Sequence, residues 1–174
     1  MSLKGKRIGI LAEDLYQDLE LWYPYLRFIE EGAEVFVIAP DKSKIYTSKH
    51  GYPVKPDQAV SQVDVKKLDC VVIPGGYAPD LMRRDPEMVK LVKDAYENDK
   101  VVAGICHAGW MLISAGIVKN KKLTSFFAIK DDLVSAGAKY VDQEVVVDGK
   151  LVTSRMPADL PSFCRKIIEL LEGS

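Results

Sequence analysis

The chain has 174 residues, of which 48% are hydrophobic and 28% are charged, and its formal net charge is −1. This length and composition predict one globular domain over residues 1–174 with a sizeable core. The balanced charge argues against a nucleic-acid or anionic-lipid partner. The chain also lacks the run of about 18 apolar residues that a membrane span requires.

The three cysteines are few and widely spaced, which argues against a disulfide framework. The start of the chain lacks the apolar core of a signal peptide. We therefore expect a reduced, cytoplasmic compartment. The sequence has no CxxC motif or His/Cys cluster, and so it predicts no metal, nucleotide or organic cofactor.

Apolar runs and helical patterns alternate through the first half of the chain. A strand is predicted at 7–12, a helix at 18–31, a strand at 34–39 and another strand at 70–73. Residues 41–65 are predicted to be a polar loop with short extended pieces. Gly32 is a natural residue to follow the helix. Pro24 interrupts the helical pattern and predicts either a kink or a late start.

The second half continues the alternation. Helices are predicted at 85–98, 109–115, 129–136 and 160–171, and strands at 101–105, 144–147 and 151–154. Asp85 is a suitable N-cap for the first of these helices, with Pro86 at its first position. The Asp148-Gly149 dipeptide predicts a two-residue hairpin between the last two strands.

This alternation indicates an α/β sandwich: a mainly parallel central sheet with helices on both faces and a late β-hairpin. In such sheets ligands bind beyond the carboxyl ends of the strands. Polar groups follow three predicted strands, at 13–20, at 74–80 and at 106–107. The sequence therefore predicts a functional site at this edge.

Cys106 and His107 lie where a strand turns into a helix, with the small residues Gly104, Ala108 and Gly109 around them. This pattern is typical of a nucleophile elbow, whose sharp turn requires small neighbours. The N–H groups of the following helix would favour a thiolate, and His107 could exchange its proton. The alternative is a buried structural cysteine beside a surface histidine.

Gly75 and Gly76 end the neighbouring strand after Pro74. Their N–H groups, with that of His107, could form an oxyanion hole or contact a substrate. The same three residues could also be a plain strand-ending turn.

Glu20 stands among apolar residues on the first predicted helix. If its side chain points inward, its pKa rises and it can form a hydrogen bond with the thiol of Cys106. If it lies at the helix edge, it is solvated and has no special role.

Eight motifs, in one order, resemble those of a known family. They are DLELWYP at 18–24, KHGY at 49–52, PGGxAP at 74–79, GICH at 104–107, LISAG at 112–116, DDxxxAG at 131–137, EVVVDG at 144–149 and SRxPxDL at 154–160. The chain closely resembles PfpI-type intracellular cysteine peptidases of the ThiJ/PfpI superfamily. The resemblance implies a three-layer, flavodoxin-like sandwich, akin to class I glutamine amidotransferase domains, that self-associates as a homodimer or hexamer.

The resemblance also implies roles for individual residues. Cys106 corresponds to the nucleophile, His107 to its base, and Glu20 to a carboxylate that contacts the sulfur. An acid from a neighbouring subunit orients the histidine in this family. Asp80 occupies that position, where relatives often have the longer glutamate.

Further positions depart from the family pattern, among them Ala108 and Gly109, which stand where relatives often have Gly-Pro, and Met156, which stands where they often have histidine. Trp110 brings a bulky indole close to the elbow, and Phe126 stands where relatives often have tyrosine. Gln17 replaces a glutamate that many relatives carry. The pocket is therefore expected to be less acidic than in those relatives.

The leading hypothesis is a cysteine-dependent hydrolase that acts either on peptides or on glyoxals and their protein adducts. The alternative is a non-enzymatic, redox-sensing or chaperone-like stress protein with an oxidisable Cys106. A glutaminase domain is rejected because it requires a late histidine, which the sequence lacks.

Overall fold

The computed structural model of the chain describes residues 2–173. Its strands are β1 (Arg7–Leu11), β2 (Glu34–Ala39), β3 (Tyr46–Thr47), β4 (Pro53–Val54), β5 (Gln58–Ala59), β6 (Cys70–Ile73), β7 (Val101–Ile105), β8 (Lys122–Leu123), β9 (Lys139–Tyr140), β10 (Val145–Asp148) and β11 (Leu151–Ser154). Its α-helices are α1 (Asp18–Glu30), α2 (Ala78–Met82), α3 (Pro86–Glu97), α4 (Gly109–Ser114), α5 (Lys130–Ser135) and α6 (Leu160–Glu172).

The main sheet within residues 2–173 has the strand order β10-β11-β7-β6-β1-β2-β5. Its neighbouring strands are parallel except for the β10–β11 hairpin. The predicted α/β fold with a mainly parallel sheet and a late hairpin is confirmed.

The middle of the sheet is dry on both faces. Every residue of β6 and β7 is buried, because parallel strands are covered by helices on both sides. Cys70 lies in β6 and Cys164 in α6, and both are buried, as expected of core residues. The three central strands β1, β6 and β7 are therefore rigid supports for whatever follows their carboxyl ends.

Helix α1 runs without interruption through Pro24, so a late helix start is wrong. It begins at Asp18, where the side chain of Gln17 accepts a hydrogen bond from the N–H of Glu20 at 2.9 Å. A proline inside a helix costs about 3 kcal/mol. Burial of Leu21 and Phe28 in the core contributes roughly 1.5–3 kcal/mol each, which offsets that cost.

The hairpin differs from its prediction by one residue. Asp148 pairs with Leu151 inside the ladder, so the two loop residues are Gly149 and Lys150. Gly149 has a φ of 62°. A type II′ turn requires glycine at the first loop position, which explains the shift.

The sequence patterns did not predict α2, a helix of only five residues that carries Asp80. The other helices agree with the predicted ones to within a residue or two. Asp85 caps α3 by accepting a hydrogen bond from the N–H of Glu87. Across residues 2–173, no helix has the length and apolar character that crossing a membrane would require.

Candidate active site

Three neighbouring parallel strands end at one edge of the sheet and bring the predicted site residues together. The segment after β1 leads to Glu20, the turn after β6 contains Gly75 and Gly76, and β7 leads into a 3₁₀ turn at Cys106–Ala108. The three segments are distant in the sequence, and they lie together because their strands are neighbours in the sheet.

Cys106 occupies a strained turn. Its φ is 61°, in the left-handed region that residues with a side chain rarely adopt. A Cβ on Gly104 would lie 3.2 Å from that of Ala108, and one on Gly109 would lie 3.0 Å from Ile129 Cδ1. Gly104 and Gly109 are therefore closely packed, and a side chain at either position would force its neighbours to shift.

The sulfur of Cys106 lies 3.2 Å from Nδ1 of His107. The backbone N–H groups of His107 and Gly76 lie near the sulfur and act to lower the pKa of Cys106. The histidine ring stacks on Phe126 at 5.0 Å between centroids and meets Trp110 edge-on at 5.1 Å. Burial, followed by the charge of Lys49, lowers the pKa of His107, which favours the neutral base.

Glu20 points inward and is 0% exposed. Its Oε2 accepts a hydrogen bond from the N–H of Gly75 at 2.7 Å. Burial is the main cause that raises the pKa of Glu20 to about 7, so a carboxylic acid persists close to neutral pH. The alternative of a solvated helix edge is wrong.

Gly75 is placed differently from the expected oxyanion donor, because its N–H is occupied by Glu20. Its contribution is the absence of a side chain: a Cβ there would lie 2.5 Å from Oε2 of Glu20 and 2.7 Å from Cβ of Cys106. Gly76 has a φ of 79°. Its N–H, like that of His107, acts to lower the pKa of Cys106, so Gly76 and His107 are the candidate main-chain donors there.

The thiol itself differs from expectation. Burial first, and then the charge of Glu20, raise the pKa of Cys106 to about 12, although the N–H groups of His107 and Gly76 act in the opposite direction. The sequence pattern predicted a lowered pKa, but it could not show that the sulfur is enclosed. Because Glu20 keeps its proton up to about pH 7, the charge that opposes a thiolate is absent below that pH.

Asp80 does not meet His107 within the chain. It lies on α2, where its carboxylate pairs with Arg84 and its pKa is lowered despite partial burial, through hydrogen bonds from Arg84 and Tyr77. Within residues 2–173, the second ring nitrogen of His107 has no hydrogen-bond partner. A role for Asp80 across a subunit interface stays a prediction.

Cys106 and His107 open into a cavity of about 450 Å³. Most of its wall is apolar or aromatic, and one lysine enters it. Besides Cys106 and His107, the lining comprises Leu15, Gln17, Glu20, Lys49, Gly76, Tyr77, Trp110, Phe126 and Pro157. The sequence reasoning assigned no role to Leu15, Lys49, Tyr77 or Pro157; the KHGY motif was the one signal that pointed near Lys49. Residues 2–173 contain no group of three or more His, Cys, Asp or Glu side chains that could hold a metal.

Fold and site together define a class: α/β sandwiches that carry an enclosed cysteine and an adjacent histidine at a strand-to-helix turn. Residues 6–170 match the model of the DJ-1/PfpI family. The chain belongs to this family, as the resemblance implied.

Curated relatives agree over nearly the whole chain. Deglycase TK1284 of Thermococcus kodakarensis is 46% identical, with 95% of this chain and 99% of that protein covered. The putative cysteine protease YraA of Bacillus subtilis is 41% identical, with 97% and 99% covered. The prediction of a cysteine-dependent hydrolase is confirmed at the level of enzyme class.

Solved structures show the same fold. Drosophila melanogaster DJ-1beta is 29% identical with a TM-score of 0.90, with 97% of this chain and 91% of that chain covered. A two-domain Anabaena variabilis protein with DJ-1/ThiJ/PfpI-like and ferritin-like domains has a TM-score of 0.94 at 39% identity. This chain covers 48% of that one, while 95% of this chain is matched.

Glu20→Gln should change how stability depends on pH. The pKa of Glu20 is raised from 4.5 to about 7, so between these pH values the folded wild type binds more protons than the unfolded chain. Its free energy of unfolding therefore falls as pH rises through this window, by up to roughly 3 kcal/mol. The Glu20→Gln variant lacks this titration. As pH rises through the same window, its free energy of unfolding should therefore rise relative to that of wild type by up to roughly 3 kcal/mol.

Urea unfolding at pH 4.5 and pH 7 measures the difference. Glu144→Gln, which neutralises an exposed glutamate, is the matched control and should show a much smaller change. Equal pH dependence of the Glu20→Gln variant and the wild type would contradict a neutral, buried carboxyl at this position.

Proposed function

We propose that the protein is a cysteine-dependent deglycase, which hydrolyses the adducts that glyoxals form on thiol and amine groups of proteins. The observation that carries this proposal is the sulfur of Cys106, 3.2 Å from Nδ1 of His107, in a cavity of about 450 Å³. A cavity of this size suits a small carbonyl adduct. The relative named deglycase TK1284, at 46% identity, supports the same choice.

The proposed first step is addition of Cys106 to a carbonyl carbon. The thiol proton passes to Nδ1 of His107, a carbon–sulfur bond forms, and the carbonyl π electrons move onto its oxygen. The N–H groups of Gly76 and His107, which lie near the sulfur, stabilise that oxyanion.

The carbonyl that Cys106 attacks is the aldehyde that forms when the adduct releases its thiol or amine. With His107 exchanging the protons, the proton on the former aldehyde carbon moves through an enediol to the former ketone carbon. Water then hydrolyses the resulting lactoyl thioester to lactate and the free Cys106 thiol.

The overall reaction needs no oxidant. A methylglyoxal hemithioacetal plus water gives the free thiol and lactate, since the aldehyde carbon is oxidised to a carboxylate while the ketone carbon is reduced to an alcohol. Because the oxidation and the reduction occur within one molecule, we assign no role to a metal or organic cofactor in the proposed reaction.

The hydrolase is tested with Cys106→Ser and His107→Ala proteins whose circular dichroism matches wild type. Turnover of the methylglyoxal hemithioacetal should fall at least about a hundredfold in both, because general acid–base catalysis contributes about that much. Full activity of Cys106→Ser would sink the proposal. Cleavage of a fluorogenic peptide without loss of the hemithioacetal would favour the peptidase alternative.

Redox sensing is the second candidate, and one observation favours it. The buried carboxyl of Glu20 interacts with the thiol of Cys106, and within residues 2–173 its Oε1 has no other hydrogen-bond partner. A protonated carboxyl there could share its proton with an oxidised sulfur. The His107→Ala protein discriminates the two roles: as a sensor it should still oxidise at Cys106 under peroxide, whereas as a hydrolase it should lose turnover.

We also propose that His107 is oriented across a subunit interface by Asp80 of a neighbouring copy. Two features support this: the unpartnered second nitrogen of His107 within residues 2–173, and the surface position of Asp80 on α2. The proposal implies self-association as a homodimer or hexamer.

Asp80→Asn should lower turnover, and mixing it with Cys106→Ser should restore part of the activity. In a mixed dimer, the chain with an intact Cys106 would receive Asp80 from its Cys106→Ser partner. The two variants are unfolded together, refolded and assayed for turnover, and each variant refolded alone is the control. If native mass spectrometry shows mixed oligomers but turnover is not restored, a role for Asp80 in trans is contradicted.

A further inference from the structure

Among the residues described, Lys49 is the one lysine that lines the cavity around Cys106. We propose that Lys49 binds an anionic group of the incoming molecule, so that the site prefers carbonyl compounds with a carboxylate close to the reacting carbon. The substrate side of this inference rests on the proposed hydrolase, whereas the binding of an anion does not.

The position of Lys49 is the first argument. It enters a cavity whose wall is otherwise largely apolar, formed in part by Leu15, Tyr77 and Phe126. Lys49 is itself exposed, but the apolar wall beside it leaves fewer waters to screen its charge from an anion in the cavity than in bulk water. A ligand carboxylate would therefore find one strong attractive group in this wall.

Among the residues described, the ammonium group of Lys49 forms no ion pair with a carboxylate. Several other lysines are within ion-pair distance of carboxylates, as in Lys44 with Asp14 at 2.7 Å and Lys166 with Glu169 at 2.6 Å. Lys49 forms no such pair within residues 2–173, although its charge acts on Glu20 and His107 inside the cavity. The charge is thus felt near the reacting atoms and is free to meet a ligand.

The third argument is that the backbone around Lys49 is held in place. Its N–H donates to the carbonyl of Tyr16 at 3.0 Å. The residues on both sides bind one carboxylate: Oγ of Ser48 donates to Asp18 at 2.6 Å, and Nδ1 of His50 lies 2.7 Å from the same side chain. This network fixes the backbone on both sides of Lys49, whose side chain lines the cavity.

The test compares two alkylating reagents that differ in charge, iodoacetate and iodoacetamide. Each is attacked by the Cys106 thiolate with loss of iodide, so the ratio of their rate constants cancels any change in the pKa of the thiol. The rates are measured by mass spectrometry at Cys106 in wild type, Lys49→Gln and Lys49→Arg. Lys55→Gln is the matched control, since it removes one exposed lysine from the next segment of the chain, between β4 and β5.

We expect the iodoacetate-to-iodoacetamide ratio to fall about tenfold in Lys49→Gln, the effect of losing one charge-assisted hydrogen bond. Lys49→Arg should retain most of the wild-type ratio, and Lys55→Gln should match wild type. An unchanged ratio in Lys49→Gln, or an equal fall in Lys55→Gln, would overturn the proposal.

Turnover supplies a second arm with a matched pair of substrates. The methylglyoxal hemithioacetals of N-acetylcysteine and of N-acetylcysteine amide differ only in the carboxylate. Lys49→Gln should raise the ratio of KM for the acid to KM for the amide, because any effect of the lost charge on Glu20 and His107 is common to both substrates. If wild type processes neither, the proposed hydrolase fails on these substrates, while the alkylation ratio still decides whether Lys49 binds anions.

Discussion

The contact between the buried carboxyl of Glu20 and the N–H of Gly75 is the interaction on which the site depends. It joins α1 to the turn after β6, directly beside Cys106. Because the pair fills the space behind the sulfur, Gly75 has no room for a side chain. The same contact occupies the Gly75 N–H and leaves that of Gly76 near the sulfur. This one hydrogen bond therefore helps to position the carboxyl of Glu20, the N–H of Gly76 and the thiol of Cys106.

Backbone strain gathers around that contact. Leu15, Gly76 and Cys106 all have positive φ, at 63°, 79° and 61°, and each follows a different central strand. A non-glycine residue in such a conformation costs on the order of 1–3 kcal/mol, and it persists only where the surroundings enforce it. The fully buried strands β6 and β7 provide that support. The rigid sheet thus maintains a turn that the local sequence would not adopt by itself.

Burial affects the pKa values of the site residues more than the charges of their neighbours do. Burial is the largest cause of the raised pKa of both Glu20 and Cys106 and of the lowered pKa of His107. All three groups therefore favour their neutral forms, which suits a site that moves a proton and does not hold a fixed ion pair. Lys49 differs from these groups because it is an exposed loop residue that also lines the cavity.

The sequence by itself determined the features that depend on near neighbours: the apolar strands, the cap at Asp85, the glycine after α1, and a cysteine at the end of a strand. It left open the inward direction of Glu20, and it did not find the partner of Gly75 or the place of Lys49 in the cavity. These depend on tertiary structure because they join distant segments; Glu20 and Gly75 are 55 positions apart. Propensities and turn preferences act over a few residues, whereas the packing of α1 on the sheet selects which carboxylate is buried.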